Sequence, residues 1–332
     1  VVLVNPRAGG GKARSLWESV RTRVPRLAQL DRLDPHRGQA SGSSRGPAPS
    51  GGASGVILED RPEAAEDALV AALEAGAERL VVLGGDGSFS LAADVVAVAG
   101  AGPRMTLGLV PAGTGSDLAR SLGLPKDPMG CLARALDGVP QPLDALELVF
   151  DDGRRRFAVN VLSCGVSGRV VRQINALTAR GRTAYLAESL KALVRYRAAA
   201  CRIEADGETW HDGPILLCAI ANGTAFGRGM RIAPQAVLDD GKADLVLASH
   251  VPGWELPILL PRLYAGRHLS SRHVRFRRAE RVRIVPGDGF PDFDLDGDAW
   301  PPGPVTVTVR PGALRVAGRT DREEEEPRHP GA

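Results

Sequence analysis

The stretch LVVLGGDGSFSLAADVV (residues 80–96) decides the fold of the first part of this chain. A short apolar run stops at Gly84-Gly85-Asp86-Gly87, and a helical pattern resumes at once. Glycines in such a turn allow positive φ and let another group approach bare N–H groups. The helix that follows turns its positive end toward the same point, so an anion is the natural occupant. A tight strand-to-helix turn with no ligand is the alternative, because a single Gly-rich turn is a weak signal.

Working outward, residues 1–5, 56–59, 80–83 and 106–110 read as strands, and their near-continuous apolar character suits a parallel sheet buried on both faces. Between the second and third lies DRPEAAEDALVAALEAG (residues 60–76). Asp60 is placed as an N-cap with Glu63 three residues on, Ala65, Leu69, Ala72 and Leu73 form one apolar face, and Gly76 ends the helix. Residues 1–140 are therefore expected to form a doubly wound α/β domain, which binds ligands at the carboxyl ends of its strands. Residues 36–55, of which 16 of 20 are Gly, Ser, Ala or Pro, cannot bury a core and read as a flexible insertion without function.

Three Gly-rich loops fall at strand ends of this domain: NPRAGGGKA, GGDGS and PAGTGSDLAR. Together they supply backbone donors to one crevice. They are not a P-loop, since Pro6 takes the slot of the leading glycine and Ala13 follows Lys12. They are not a dinucleotide fingerprint either, since Arg14, Ser90 or Leu118 stands where the third glycine belongs.

From Asp144 the pattern changes. LDALELVFDDGRRRFAVNV reads as strand, Asp-Asp-Gly turn, strand, and later segments continue in that style up to GPVTVTVRPGALRV. Residues 141–305 are expected to form a mainly antiparallel domain with helices near 185–197 and 254–264. The acidic end, residues 319–332, reads as disordered. A length of 332 residues fits two domains, and a formal net charge of +3 excludes an electrostatic nucleic-acid binder. Cys131, Cys164, Cys201 and Cys218 show no CxxC spacing and read as reduced, buried thiols. No run approaches ~18 apolar residues, so no transmembrane segment is expected. The opening VVLVN shows no secretory signal, which points to the cytoplasm.

The set NPRAGGGK, VVLGGDGS, VPAGTGSDLAR, NGTAFGRGMRIAPQAVLDDGKADL, GRH and LDGDAWP…PGALRV closely resembles the diacylglycerol kinase catalytic-domain family, which includes soluble bacterial lipid kinases and sphingosine kinases. The resemblance implies an α/β nucleotide domain joined to a β-sandwich-like domain, the architecture shared with NAD kinases. It also implies ATP in the cleft between them and a last segment, 306–318, that returns to the first domain. ATP-binding positions implied by it are Asn5, Gly84, Gly85, Asp86, Gly87, Ser88, Phe89, Ser90, Thr114, Gly115 and Asp117. Asp86 would organise Mg²⁺ beside the phosphates, with helix capping as its alternative. Asp117 would bond within its loop or help place the ion, again with capping as the alternative. Asp298 takes the general-base position of a "DGE" turn that here reads Asp296-Gly297-Asp298, one methylene shorter; a plain hairpin turn is the alternative. The LDDG turn implies a structural Mg²⁺ held by Asp240 and the carbonyls of Val237 and Lys242, with an ordinary β-turn as the alternative.

The expected activity is transfer of the γ-phosphate of ATP, with Mg²⁺, to a hydroxyl of diacylglycerol or a related lipid. Departures from the family pattern are Ser88 for Thr, Leu91 for Glu, Ser116 for Asn, and Glu59 where Thr often meets the nucleotide. They keep a second reading open, a weakened nucleotide-binding regulator. NAD kinase is a third, disfavoured because no asparagine is followed by Glu. The lipid implies peripheral contact at the inner membrane face. Eight Lys or Arg against Glu188 between Gly165 and Arg202 suit that contact, with a solvated helix packed on its own domain as the alternative. WELPILLPRLY, from Trp254, reads as core packing or an apolar substrate wall. A homodimer is compatible with all of this.

Overall fold

The computed structural model describes residues 1–28, 30, 54–113, 115–175 and 195–318. The chain divides into two compact units, Val1–Leu143 with Ala313–Ala332, and Asp144–Gly312. Most of the expected helix at 185–197, three of the eight basic residues around it (Arg180, Arg182 and Lys191), Thr114, nearly all of the 36–55 insertion and the tail 319–332 lie outside the described residues.

In the first unit, β1 (Val2–Val4), β2 (Val56–Leu58), β3 (Arg79–Gly84) and β4 (Thr106–Pro111) form a parallel sheet in the order β2-β1-β3-β4. Every residue of β1 is buried, and so are nearly all of β3 and β4. That explains why these strands read as continuous apolar runs rather than alternating ones. Helices α1 (Lys12–Arg23), α2 (Pro25–Ala28), α3 (Pro62–Glu74), α4 (Asp86–Val98), α5 (Asp117–Ser121) and α6 (Pro128–Asp137) connect the strands. Trp17, Val20, Leu83, Val110 and Leu132 share one core cluster. Phe89 is wholly enclosed on α4, a burial that stabilises the unit by roughly 2–3 kcal/mol.

Helix α3 starts differently from its expectation. Arg61 occupies the N-cap with extended backbone and Pro62 the first turn, while the Asp60 carboxylate pairs with Arg7. Proline with its preset φ starts the helix in place of a side-chain cap. The C-terminus forms as read: Gly76 has φ 80°, its N–H donates to Leu73, and Ala77 N–H donates to Ala72, a Schellman closure.

The second unit is two antiparallel layers. β7 (Val161–Gly165), β10 (Leu217–Ala221), β11 (Ala243–Ala248), β12 (Val274–Ala279), β14 (Phe293–Leu295) and β15 (Asp298–Trp300) form one sheet, in the order β12-β11-β10-β7-β14-β15. β5 (Pro140–Phe150), β6 (Arg155–Ala158), β8 (Ala199–Ala205), β9 (Glu208–Ile215), β13 (Arg281–Pro286) and the start of β16 (Val305–Ala317) form the other. Alternation sets the faces: Val305, Val307 and Val309 are buried while Thr306 and Thr308 are not. These valines share one core with Leu162, Ile203, Ile220, Leu245 and Phe293 from both sheets, the arrangement of a sandwich. Two helices accompany the sheets, α7 (Val166–Asn175) and α8 (Leu256–Tyr264). In the first unit the end of β16 pairs in parallel with β4, Arg315 opposite Thr106 and Val316 opposite Leu107. All four cysteines are free and buried.

Candidate active site

Three strand ends of the first unit are locked together by near-contact of their backbones. A Cβ on Gly113 would sit 2.7 Å from the Cα of Gly85, and one on Gly9 would sit 2.0 Å from the Ala112 carbonyl oxygen. Ala112 N–H donates to the Gly84 carbonyl at 2.7 Å. Asn5, just past β1, joins the first loop to the second: its Nδ2 donates to Ser88 Oγ at 3.0 Å, and its Oδ1 accepts from Arg7 N–H at 3.1 Å. The GGDG glycines thus serve close approach and not the positive φ expected of them. Gly84, Gly85 and Gly87 all avoid the left-handed region, and Gly85 caps α4 with extended backbone at φ −98°. Among the described residues of the three loops, the left-handed ones are Gly9, Gly10 and Gly11 in the first and Ser116, with φ 54°, in the third.

The N–H groups of Asp86, Gly87 and Ser88 precede the first intrahelical bond of α4, which runs from Phe89 N–H to the Gly85 carbonyl. A helix N-terminus framed by side-chain-free backbone suits an anion such as phosphate. Phe89 takes part only from beneath, its ring in the core and its N–H already donated. Ser90 is half-buried one residue further on.

The Asp86 carboxylate turns toward α5. Its Oδ2 accepts from Asp117 N–H at 2.9 Å and its Oδ1 from Leu118 N–H at 3.4 Å. Burial raises its pKa, offset in part by these backbone N–H groups and by Arg120. Gly115 leaves room for this carboxylate, since a Cβ would come to 3.0 Å from Asp86 Oδ2. Asp117 is itself buried, and its Oδ1 accepts from Arg120 Nη1 at 2.5 Å. The same guanidinium nitrogen donates to the Gly115 carbonyl at 2.8 Å.

In the second unit, Leu295 and Asp298 face each other across a two-residue hairpin. Its central residues, Asp296 and Gly297, have φ 51° and 96°, as the Asp-Gly turn of a tight hairpin demands. Asp296 is the anchor: its carboxylate accepts from the N–H groups of Val159 (3.0 Å), Asn160 (3.1 Å) and Val161 (2.8 Å). Asp298, on the other side of the turn, is exposed at the start of β15. The hairpin and the presentation of an acid are therefore one feature.

Sequence reasoning passed over Asp294, also on this hairpin. Its Oδ1 accepts from Gly297 N–H at 3.0 Å, and its Oδ2 from Ser163 Oγ at 3.4 Å. Desolvation first, then the charges of Asp296 and Asp298, push its pKa up to about 7, against the pull of Gly297 and Ser163. The alternation DFDLDGD was the available signal, since it stacks acids on one short ribbon. Asn160 and Asn222 were passed over as well. Asn222 Nδ2 bonds the carbonyls of Asp144 and Val159, and Asn160 Nδ2 that of Ala225. Both are buried, and neither Oδ1 has a partner among the described residues.

The LDDG turn does not fit a structural cation. The Asp240 carboxylate is paired with Arg278, and its Oδ1 accepts from Lys242 N–H at 3.1 Å. Val237 lies exposed before it. The same arginine reaches Asp244, so a guanidinium supplies the positive charge that Asp240 would offer to an ion. The turn is held from within by Asp144, whose buried carboxylate accepts from Gly241 N–H at 2.6 Å and Gly312 N–H at 2.7 Å. Among the described residues, no three His, Cys, Asp or Glu side chains group as metal ligands. Nor is any described helix long and apolar enough to cross a membrane.

A parallel sheet whose Gly-rich strand ends frame a helix N-terminus, followed by an antiparallel sandwich presenting an acid on a hairpin, defines a class of α/β proteins with a β-rich second unit. Comparison with known proteins narrows the class. Residues 1–148 match the diacylglycerol kinase catalytic domain, and residues 160–318 match the YegS C-terminal NAD kinase beta sandwich-like domain. A diacylglycerol kinase of Mycobacterium tuberculosis is 32% identical over 251 residues, 75% of this chain and 79% of that protein. A probable YegS-like lipid kinase of Pseudomonas fluorescens is 33% identical over 247 residues, 74% of this chain and 79% of its own. A crystal structure of a putative diacylglycerol kinase from Bacillus anthracis shares the fold, with a TM-score of 0.67, 18% identity and 96% of each chain covered. This chain belongs to the diacylglycerol kinase catalytic-domain family.

Proposed function

We propose that the chain is an ATP-dependent lipid kinase that phosphorylates a hydroxyl of diacylglycerol or a closely related lipid. The observation that carries the proposal is the α4 N-terminus, with Asp86, Gly87 and Ser88 N–H groups framed by Gly85, Gly113 and Asn5. Backbone donors already in place bind phosphate without reorganising, and positioning with electrostatics is most of what phosphoryl transfer requires. ATP enters as its Mg²⁺ complex, whose cation offsets phosphate charge. Asp86 and Asp117 are the carboxylates offered to that complex. Their backbone and Arg120 partners fix them in place beforehand.

Asp298 is the general base in this reading. It takes the proton of the lipid hydroxyl as oxygen attacks the γ-phosphorus, and ADP leaves with the electron pair of the broken P–O bond. Asp296 positions it by pinning the turn to three successive N–H groups. The reading places the protein at the inner membrane face as a peripheral enzyme.

A lipid panel tests the proposal: transfer of labelled γ-phosphate from MgATP to diacylglycerol, monoacylglycerol, sphingosine, ceramide and phosphatidylglycerol in mixed micelles, with NAD as a soluble acceptor. Labelled diacylglycerol or monoacylglycerol is the expected product. Label in NAD alone would move the chain to the nucleotide kinases, and ATP binding without any labelled acceptor would make it a regulator.

A further inference from the structure

Residues 254–264 read as core packing or an apolar substrate wall, and the helix they form is not packed into a core. No residue of α8 is buried, and Trp254 and Ile258 are 70% and 58% exposed. Leu256, Leu259, Leu260 and Leu263 are half-buried, with Leu263 packed on the cluster of Val161, Ala219 and Val246. That leaves Trp254, Pro257, Ile258, Pro261 and Arg262 on the outer side, at the spacing of one helical face. A surface helix ordinarily turns polar residues outward; this one turns out tryptophan, isoleucine and two prolines. Phe276 on β12 adds to the patch. It is 37% exposed, and its partner across the strands is Val246 of the same cluster, so it stands on the same sheet face as α8.

The rim is basic. Residues 251–278 hold six arginines, of which Arg277 and Arg278 are paired with Glu208 and Asp240 from elsewhere, against one acid, Glu255. That acid is consumed by Arg272 at 2.5 Å and His273 at 2.8 Å. Arg262 instead donates to Ser270 Oγ at 2.9 Å. That guanidinium has a neutral partner and keeps its charge for something else. Arg267, exposed just past the helix end, adds a second positive charge. An exposed apolar ridge ringed by arginine fits a surface that is apolar inside and anionic outside.

We propose that the outer face of α8, with Trp254 and Ile258 as anchors and Arg262 and Arg267 as headgroup contacts, docks the protein on anionic phospholipid bilayers. Tryptophan and isoleucine enter the boundary between headgroups and acyl chains, and the guanidinium groups meet lipid phosphates. The inference rests on the lipid-kinase reading for its purpose only, since docking is measured without turnover.

The test uses the full chain and sucrose-loaded vesicles of either phosphatidylcholine alone or phosphatidylglycerol and phosphatidylcholine in equal parts. Wild type, Trp254→Phe and the pair Trp254→Glu/Ile258→Glu are compared. Wild type is expected to sediment with the anionic vesicles and not with phosphatidylcholine alone, and its tryptophan emission to shift to shorter wavelength. Trp254→Phe loses that shift, and the double variant loses about tenfold in partitioning. ATP binding and thermal unfolding of the double variant stay at wild-type values. Equal partitioning of wild type and double variant would overturn the proposal. So would a wild-type dimer that the double variant splits with no change in vesicle binding, because the face would then belong to a second copy. Vesicle binding that persists in a protein unable to phosphorylate any lipid would sink the kinase reading and leave the docking surface standing.

Discussion

Ser116 holds a left-handed backbone, φ 54° and ψ 37°, at the N-cap of α5. Asparagine and glycine occupy that region at lower cost than serine, by about 1 kcal/mol. Ser116→Asn or Ser116→Gly is therefore expected to raise the melting temperature, and a scanning-calorimetry value at or below wild type would count against the strain. Asp296 and Asp298 separate stability from chemistry on one turn. Removing the Asp296 carboxylate leaves three N–H groups short of their acceptor, so Asp296→Ala is expected to cost about 3 kcal/mol in urea unfolding. Asp298→Asn, at an exposed position, leaves the unfolding midpoint within error of wild type. Asp294 sets a pH dependence. Its folded pKa of about 7 lies above the unfolded carboxylate value, so the folded state holds a proton that the unfolded state has released. This contribution is fully present below about pH 4 and is lost as pH rises to about 7. Asp294→Asn should therefore gain stability relative to wild type at pH 8 and little at pH 4, by melts across that range. An equal offset at both ends would refute the assignment.

At the scale of elements, the loops at the ends of β1, β3 and β4 stand or fall together. Gly113→Ala pushes a methyl group to 2.7 Å from Gly85 Cα, and backbone on both sides has no side chain to yield. ATP affinity by titration calorimetry is expected to fall at least tenfold while the parallel sheet survives by circular dichroism; unchanged affinity would detach the third loop from the phosphate site. The LDDG turn gives a second element-level outcome. With Arg278 bridging Asp240 and Asp244, magnesium or chelator should move the melting temperature of the nucleotide-free protein by less than ~1 °C. A clear rise with magnesium would mean that an ion displaces the arginine. The strands of the first unit were legible because burial on both faces writes an unbroken apolar run. The start of α3 was misread by one residue, since Asp60 has cap chemistry and its tertiary pairing with Arg7 draws it away. The role of the GGDG glycines was hidden for the same reason: the partner that requires them, Gly113, is far along the chain.

For the whole molecule, motif order along the chain was enough to read the family, an α/β unit and then an antiparallel sandwich. What stayed illegible were properties of packing: the inverted face of α8, the β12 arginine paired with the LDDG turn, and the raised pKa of Asp294. Each depends on which side chain a strand or helix brings beside another, and no linear pattern reports that. The central claim is that phosphate binding and proton removal reside in different units, in the GGDG loop and at Asp298. One experiment separates them most directly: ATP dissociation constants and single-turnover transfer to diacylglycerol, measured side by side for wild type, Asp298→Asn and Asp298→Glu. The account predicts equal ATP affinity in all three, with transfer lost by at least about a hundredfold in the Asn variant and kept in the Glu variant, which still carries the base. Transfer at wild-type rate in Asp298→Asn, or ATP affinity that falls with it, would contradict the account.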